Sequence, residues 1–365
     1  RGATVRQAAV TLSDLTADMP WLIMGRAVPM ALRPQRLGRA LATIAALVVV
    51  WGALRPLTGP VVADVVGKYA GTLRGLARDL EAGALLQLGV WLDALFVQVP
   101  ADLWRAHGVR LVPLVAAALA VLGVSGLAAA RSAALEAGLR SISKPGWAPA
   151  PREPERPSLF ALRHTAAVLV AMALLVAVPI VALLLTALLG LIPRPGGLVG
   201  TVLFGLPVLG GLATALLALI ALISGPLVAP AIACDGDDGL EAVQRAQAYA
   251  IARPGTLLAL TVAALAQGLV LLAVLLAVRS VSLDLAAWAA GPGVLSGPGG
   301  AGLDPAGELR AWGVLTWVLV VGVLLSYAQA ACALVYLLLR RACDGQPLTE
   351  LWRSGDAAGV FTLRA

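Results

Sequence analysis

Long uncharged apolar runs recur along the chain and predict its architecture. A hydrocarbon core about 30 Å thick requires about 20 apolar residues in a helix. Six runs approach or exceed this length, near residues 40–57, 111–130, 165–192, 198–233, 256–278 and 311–339. We therefore expect an all-α polytopic transmembrane helix bundle of about six spans. The transmembrane domain would cover residues 40–341, between an N-terminal cytoplasmic or interfacial segment, residues 1–39, and a cytoplasmic tail, residues 342–365.

The segment after the first span has a helical pattern instead of an uninterrupted apolar one. Apolar residues recur there every three or four positions, while charged residues largely take the other face; the apolar set is Val62, Val65, Tyr69, Leu73, Leu76 and Leu80. This pattern predicts an amphipathic helix lying on the membrane or against the bundle. Residues 83–99, which contain a single charge at Asp93, are read as a re-entrant or interfacial helix or, alternatively, as a seventh span.

The composition agrees with a membrane protein and not with a soluble one. The 365 residues are 60% hydrophobic and 13% charged, with a mean hydropathy of +0.90, whereas soluble domains are about one quarter charged. Two thirds of the 27 lysines and arginines lie on the side of the spans that holds both termini, which predicts cytoplasmic termini. This bias also explains the high pI, so no nucleic-acid partner is expected.

Few residues have the spacing that metal or proton chemistry needs. Cys234, Cys332 and Cys343 form no C-x-x-C pair, so we expect no metal and no cofactor. All charged side chains fall in the predicted loops or at span ends, which disfavours proton-coupled transport.

A Gly-Val-Ser-Gly tetrapeptide at residues 123–126 resembles the nucleophile motif of rhomboid intramembrane proteases. A serine nucleophile needs a base beside it, and the only histidines, His107 and His164, lie at span edges. Small residues at this spacing also favour close helix packing. We expect Ser125 to be a packing residue and the protein not to be an enzyme.

Residues 234–255 form the most distinctive loop. Asp238 followed by Glu241 has the spacing of a capping box, which predicts a helix from Gly239 to about Ala252 that ends before Pro254. The spacing of the loop's acidic residues does not fit a calcium loop. We expect a juxtamembrane helix on the cytoplasmic face, either a simple connector or a docking element in which Arg245 and Tyr249 contact a protein partner. The sequence Ala-Cys-Asp-Gly occurs both at residues 233–236 and at residues 342–345, each after a span, and hints at a duplication.

The same loop resembles one in a family of uncharacterised multi-spanning bacterial membrane proteins. The resemblance covers about residues 130–341 and is carried by a short set of residues: Pro230, Asp238, Gly239, Ala242, Arg245, Tyr249, Arg253 and Pro254. A fainter similarity links the chain to the membrane domain fused to glycerophosphodiester phosphodiesterases. The resemblance implies a bacterial inner-membrane location and no known activity, and the phosphodiesterase reaction is not carried over.

The functional prediction that remains is a non-enzymatic integral membrane protein. It would act as a scaffold, through contacts with membrane lipids, or by binding a protein partner at residues 234–255. The alternative is a permease subunit of an ATP-driven transporter, because Glu241, Ala242 and Val243 partly match a Glu-Ala-Ala coupling helix. Substrate and oligomeric state are left open.

Overall fold

A computed structural model describes residues 20–81, 87–94, 98–142, 156–191, 198–294, 305–346, 350–352 and 360–362. Within these ranges the chain is almost entirely helical. A 3-10 helix, Pro20–Arg26, leads into α1, and a second one, Gly108–Leu111, joins α5 to α6. The α-helices are α1 Ala27–Ala31, α2 Pro34–Thr58, α3 Val61–Glu81, α4 Leu88–Asp93, α5 Val99–His107, α6 Val112–Ile142, α7 Pro157–Arg163, α8 Thr165–Gly190, α9 Leu198–Asp235, α10 Gly239–Ala252, α11 Pro254–Val294 and α12 Pro305–Asp344. Two three-residue strands, β1 Glu350–Trp352 and β2 Val360–Thr362, pair antiparallel.

Six helical segments of the described chain are long and apolar enough to cross a membrane. They are Pro34–Pro56, Val99–Ala137, Thr165–Gly190, Phe204–Asp235, Pro254–Ala286 and Trp312–Asp344. Each overlaps one of the six predicted spans, so the all-α polytopic fold is confirmed. Many of their large aliphatic side chains point outward, Leu184 and Leu265 among them. Such exposure suits a protein whose surroundings are lipid hydrocarbon.

Several helices continue beyond the apolar runs that predicted them. α6 extends to Ile142, so residues 131–142 form helix and not the loop expected from the sequence. Arg131 and Glu136 lie on this extension and are buried. Charged residues end the apolar run, but they need not end the helix, because Arg and Glu are good helix formers.

The chain divides into two compact units. Of the described residues, the first unit contains those within 1–31, 127–267 and 327–365, and the second contains those within 32–126 and 268–326. The second unit contains the predicted amphipathic helix, α3, which is confirmed as a helix. A buried cluster in this unit includes Val61 of α3 and Leu103 of α5, and three partly buried residues of α3 pack against it: Val62, Val65 and Tyr69. The imidazole Nε2 of His107 lies 2.8 Å from the carboxylate of Asp64 on α3. Location of α3 at a membrane interface stays a prediction.

The segment with a disputed assignment, residues 83–99, is described only in part. The described part contains α4, six residues long, and the start of α5. The indole of Trp91 on α4 donates a hydrogen bond of 2.9 Å to Asp79 on α3. Residues 83–86 and 95–97 lie outside the described ranges, so the choice between a span, a re-entrant helix and a surface helix stays a prediction.

Candidate functional site

The two Ala-Cys-Asp-Gly segments are equivalent helix ends. α9 ends at Asp235 and α12 at Asp344, and the glycine after each has a positive φ, 72° at Gly236 and 69° at Gly345. Each glycine N–H donates to the carbonyl four residues earlier. A left-handed glycine here satisfies a carbonyl that the helix end would leave unpaired, and other residues adopt this conformation with strain. The repeated motif therefore places two aspartates at the last position of two helices.

The predicted helix after the first of these ends is confirmed as α10, Gly239–Ala252. The Asp238 carboxylate accepts a 2.8 Å hydrogen bond from the N–H of Glu241, which caps the helix as expected. Glu241 itself bonds to Arg245 and does not reach back to Asp238. A Cβ on Gly239 would collide with the carbonyl oxygen of Ala167, so α10 begins in direct backbone contact with the first turns of α8.

One arginine on α10 contacts three carboxylates. Nη1 of Arg245 lies 3.0 Å from Asp235, Nε lies 3.3 Å from Asp237, and Nη2 lies 3.1 Å from Glu241. The side chains of Asp235 and Asp237 are 5% exposed. From α12, Nη2 of Arg340 lies 3.0 Å from the other oxygen of Asp235. Asp235 thus joins α9 to both α10 and α12 through ion pairs that are largely removed from solvent.

Two tyrosine–aspartate hydrogen bonds connect the same helices reciprocally. The hydroxyl of Tyr336 on α12 donates to Asp235 at the end of α9. The hydroxyl of Tyr249 on α10 donates to Asp344 at the end of α12. The two rings lie 5.7 Å apart between centroids. We call Asp235, Asp237, Arg245, Arg340, Tyr249 and Tyr336 the charged cluster.

Arg131 of α6 supports this cluster from another side. Its Nη1 donates a 2.7 Å hydrogen bond to the carbonyl of Ala233, in the last turn of α9. Its guanidinium lies 4.6 Å from the centroid of the Phe160 ring on α7. A cation at a helix C-terminus is favoured by the helix dipole, so Arg131 stabilises the end of α9 that carries Asp235.

The protonation states in the cluster follow from burial and from neighbouring charges. The pKa of Asp237 is raised to about 7, mainly by burial; Arg245 opposes the rise, and the carboxylates of Asp235, Glu241 and Asp238 contribute to it. Burial lowers the pKa of Arg245, but Asp237 and Asp235 more than offset it, so the net pKa is above its usual value. Burial and the hydrogen bond to Asp344 raise the pKa of Tyr249. At neutral pH, Arg245 is a cation and Tyr249 a neutral donor.

Arg245 and Tyr249, the two side chains expected to contact a partner, are not fully exposed on α10. Tyr249 is buried, and Arg245 is paired with three acids. The expected exposure is wrong for Tyr249, whereas Arg245 is partly exposed because its guanidinium pairs with Asp235 and Asp237. Contact of these two residues with a partner stays a prediction. Docking of a partner on α10 by other residues stays a prediction. Ala242 and Val243 are also buried, so the coupling-helix likeness does not lie on the surface.

The residues that complete the cluster were not singled out from the sequence. Tyr336 and Arg340 lie near the end of α12, about a hundred residues after Asp235, and no local sequence pattern predicts their contact with it. The repeated Ala-Cys-Asp-Gly segment was the available signal, since it marks both helix ends.

Ser125, His107 and His164 are the other residues considered for chemistry. The hydroxyl of Ser125 donates to the carbonyl of Leu122 in its own helix, at 3.1 Å. His107 contacts Asp64, and His164 contacts the carbonyl of Phe160. Across the described residues, no group of three or more His, Cys, Asp or Glu side chains could hold a metal ion.

The chain matches no protein-family model, no curated protein and no solved structure. The resemblance carried by Asp238, Gly239, Arg245 and Tyr249 therefore stays a prediction. What distinguishes the site is its geometry alone: a short helix bound by buried charges to the ends of two long apolar helices.

Proposed function

We propose that the protein is a non-enzymatic integral membrane protein that holds α10 in place for a protein partner. The observation that carries this proposal is the clamping of α10 along one side. Arg245 and Tyr249 join it to α9 and α12, and Gly239 packs it against α8. A helix fixed before binding loses little conformational freedom on binding, which favours affinity.

The opposite side of α10 supplies the binding surface. Leu240, Gln244, Ala248 and Ile251 follow one another at helical spacing and are exposed. Leu240 is 51% exposed and Ile251 is 62% exposed. Two apolar anchors about three turns apart on one face suit insertion of the helix into a groove of a partner. We call these four residues the outer stripe.

The same proposal includes the location of the chain. The resemblance carried by residues 234–255 supports a bacterial inner membrane, and the distribution of lysine and arginine supports a multi-pass arrangement with both termini, and α10, in the cytoplasm. Single cysteines at Ser354 and Ser296, in a variant without the three native cysteines, test this topology. An impermeant maleimide should label them from opposite sides of the membrane, and labelling of both from one side would refute the arrangement.

Photo-crosslinking from the outer stripe tests the docking proposal. A photoreactive residue at Gln244 should give one protein adduct of defined mass in native membranes, whereas the same residue at Leu184, an exposed position of α8, should give lipid adducts only. Leu240→Ser should abolish the protein adduct. Leu258→Ser, at a leucine of α11 that is also more than half exposed, should leave it intact.

The identity of the crosslinked species decides between the remaining functions. If Gln244 gives lipid adducts only, the outer stripe contacts the membrane surface instead of a protein, and the docking proposal is disproved. An ATPase subunit in the adduct would instead support the permease alternative. A protein adduct that survives Leu240→Ser would show that the outer stripe is not the contact.

A further inference from the structure

Asp237 lies in the turn between α9 and α10 and is the least satisfied acid of the charged cluster. Its side chain is 5% exposed. Its Oδ2 lies 3.3 Å from Nε of Arg245, yet among the described residues this oxygen accepts no hydrogen bond. Asp235, two residues earlier, takes contacts from Arg245, Arg340 and Tyr336. The cations and donors of the cluster are therefore shared unequally between two buried carboxylates.

The groups around Asp237 contain more negative charge than positive charge. Asp235 and the Cys234 thiol belong to α9, Asp238 to the turn, Glu241 and Arg245 to α10, and Tyr336 and Arg340 to α12. Thr165–Gly190, the helix α8 on which α10 begins, contains no ionisable residue. An ionised Asp237 makes a fourth carboxylate beside three guanidinium groups, those of Arg245, of Arg340 and, from α6, of Arg131 at the end of α9. A buried carboxylate without sufficient compensation becomes neutral by taking up a proton.

We propose that Asp237 is a proton-binding site of the folded protein and that the bound proton strengthens the packing of α10 on the ends of α9 and α12. The reaction is the addition of one solvent proton to the carboxylate, and no other bond forms or breaks. Since burial raises the pKa of Asp237 to about 7, the proton is exchanged in the neutral range. The attachment of α10 then responds to the pH on its side of the membrane.

Infrared difference spectroscopy of the purified protein in lipid nanodiscs tests the site directly. Spectra at about pH 5 and about pH 9 bracket the expected titration. The wild type should show the carbonyl stretch of a protonated carboxyl group that disappears at the higher pH. Asp237→Asn should lack this signal. Asp238→Asn is the matched control, because it changes the neighbouring exposed aspartate and asparagine also caps helices, and it should keep the signal.

A measurement without any substitution covers the case in which Asp237→Asn does not fold. Carbon-13 spectra of wild-type protein labelled at the aspartate carboxyl groups should show one aspartate that titrates near neutral pH. Absence of such an aspartate, or persistence of the infrared signal in Asp237→Asn, would overturn the proposal. No partner takes part in either measurement, so the outcome is independent of the docking proposal.

Discussion

The phenol of Tyr336 donates a hydrogen bond to the carboxylate of Asp235, which is the last residue of α9. Tyr336 is fully buried, and Asp235 is 5% exposed. The related pair, Tyr249 and Asp344, connects α10 to the end of α12 but has an aspartate that is exposed to solvent. The two pairs share chemistry and differ in the access of water to the acceptor.

Replacement of each tyrosine by phenylalanine should therefore have unequal effects. Tyr336→Phe should lower the free energy of unfolding by about 1.5–3 kcal/mol, because a buried charged acceptor loses a donor. Tyr249→Phe should cost less than about 1 kcal/mol, since water can replace the hydroxyl at Asp344. Reversible unfolding in mixed detergent micelles measures both. Equal losses would mean that water reaches both acceptors alike.

Substitution of Arg340 tests whether the ion pair between Arg340 and Asp235 stabilises the charged cluster. Its side chain is 3% exposed and contacts Asp235 at 3.0 Å. Arg340→Met should destabilise the protein by about 3–5 kcal/mol, because a buried carboxylate loses one of its two cations. Adding Asp235→Asn to Arg340→Met should recover part of the loss. A double variant as unstable as the sum of the single ones would show that the two residues act independently.

Gly239 provides a prediction about packing alone. A methyl group there would collide with the backbone of α8, so Gly239→Ala should destabilise the packing of α10 by about 1–3 kcal/mol. Gly255→Ala is the matched control on α11, where a Cβ meets no atom within 4 Å. It should be neutral or stabilising by up to about 1 kcal/mol. Hydrogen exchange should show faster exchange of the amides of α10 only in Gly239→Ala; similar exchange in the two variants would disprove the close contact.

The sequence was sufficient for features that depend on local pattern. The spans follow from apolar run length, and α10 follows from the spacing of Asp238, Glu241 and Pro254, all of which act within a few residues. Helices α6 and α11 continue past the span ends predicted for them, because polar and charged residues that end an apolar run can still continue a helix. The inward turn of Arg245 was missed because its partner Asp235 is itself held by Arg340 and Tyr336, which lie about a hundred residues farther along the chain.

The pH dependence of stability is the final consequence of the buried Asp237. Its pKa is about 7 in the folded protein and about 3.9 when unfolded, so between these values the folded state binds more protons than the unfolded one. The contribution of Asp237 to stability therefore falls as pH rises through this window and stays constant at higher pH. The stabilising contribution is complete below about pH 4.

Asp237→Asn isolates this contribution from those of the other titrating groups. The amide keeps the shape of the carboxyl group and has no charge to bury, so the variant should lack the decline of stability between about pH 4 and about pH 7. Above pH 7 it should exceed the wild type by up to about 4 kcal/mol, the value that a shift of about three pKa units implies. The quantity that decides is the difference between variant and wild type at each pH, because changes elsewhere in the chain cancel. Asp238→Asn should run parallel to the wild type. If Asp237→Asn also runs parallel, or is the less stable protein at high pH, then the ion pair with Arg245 outweighs the burial of the charge.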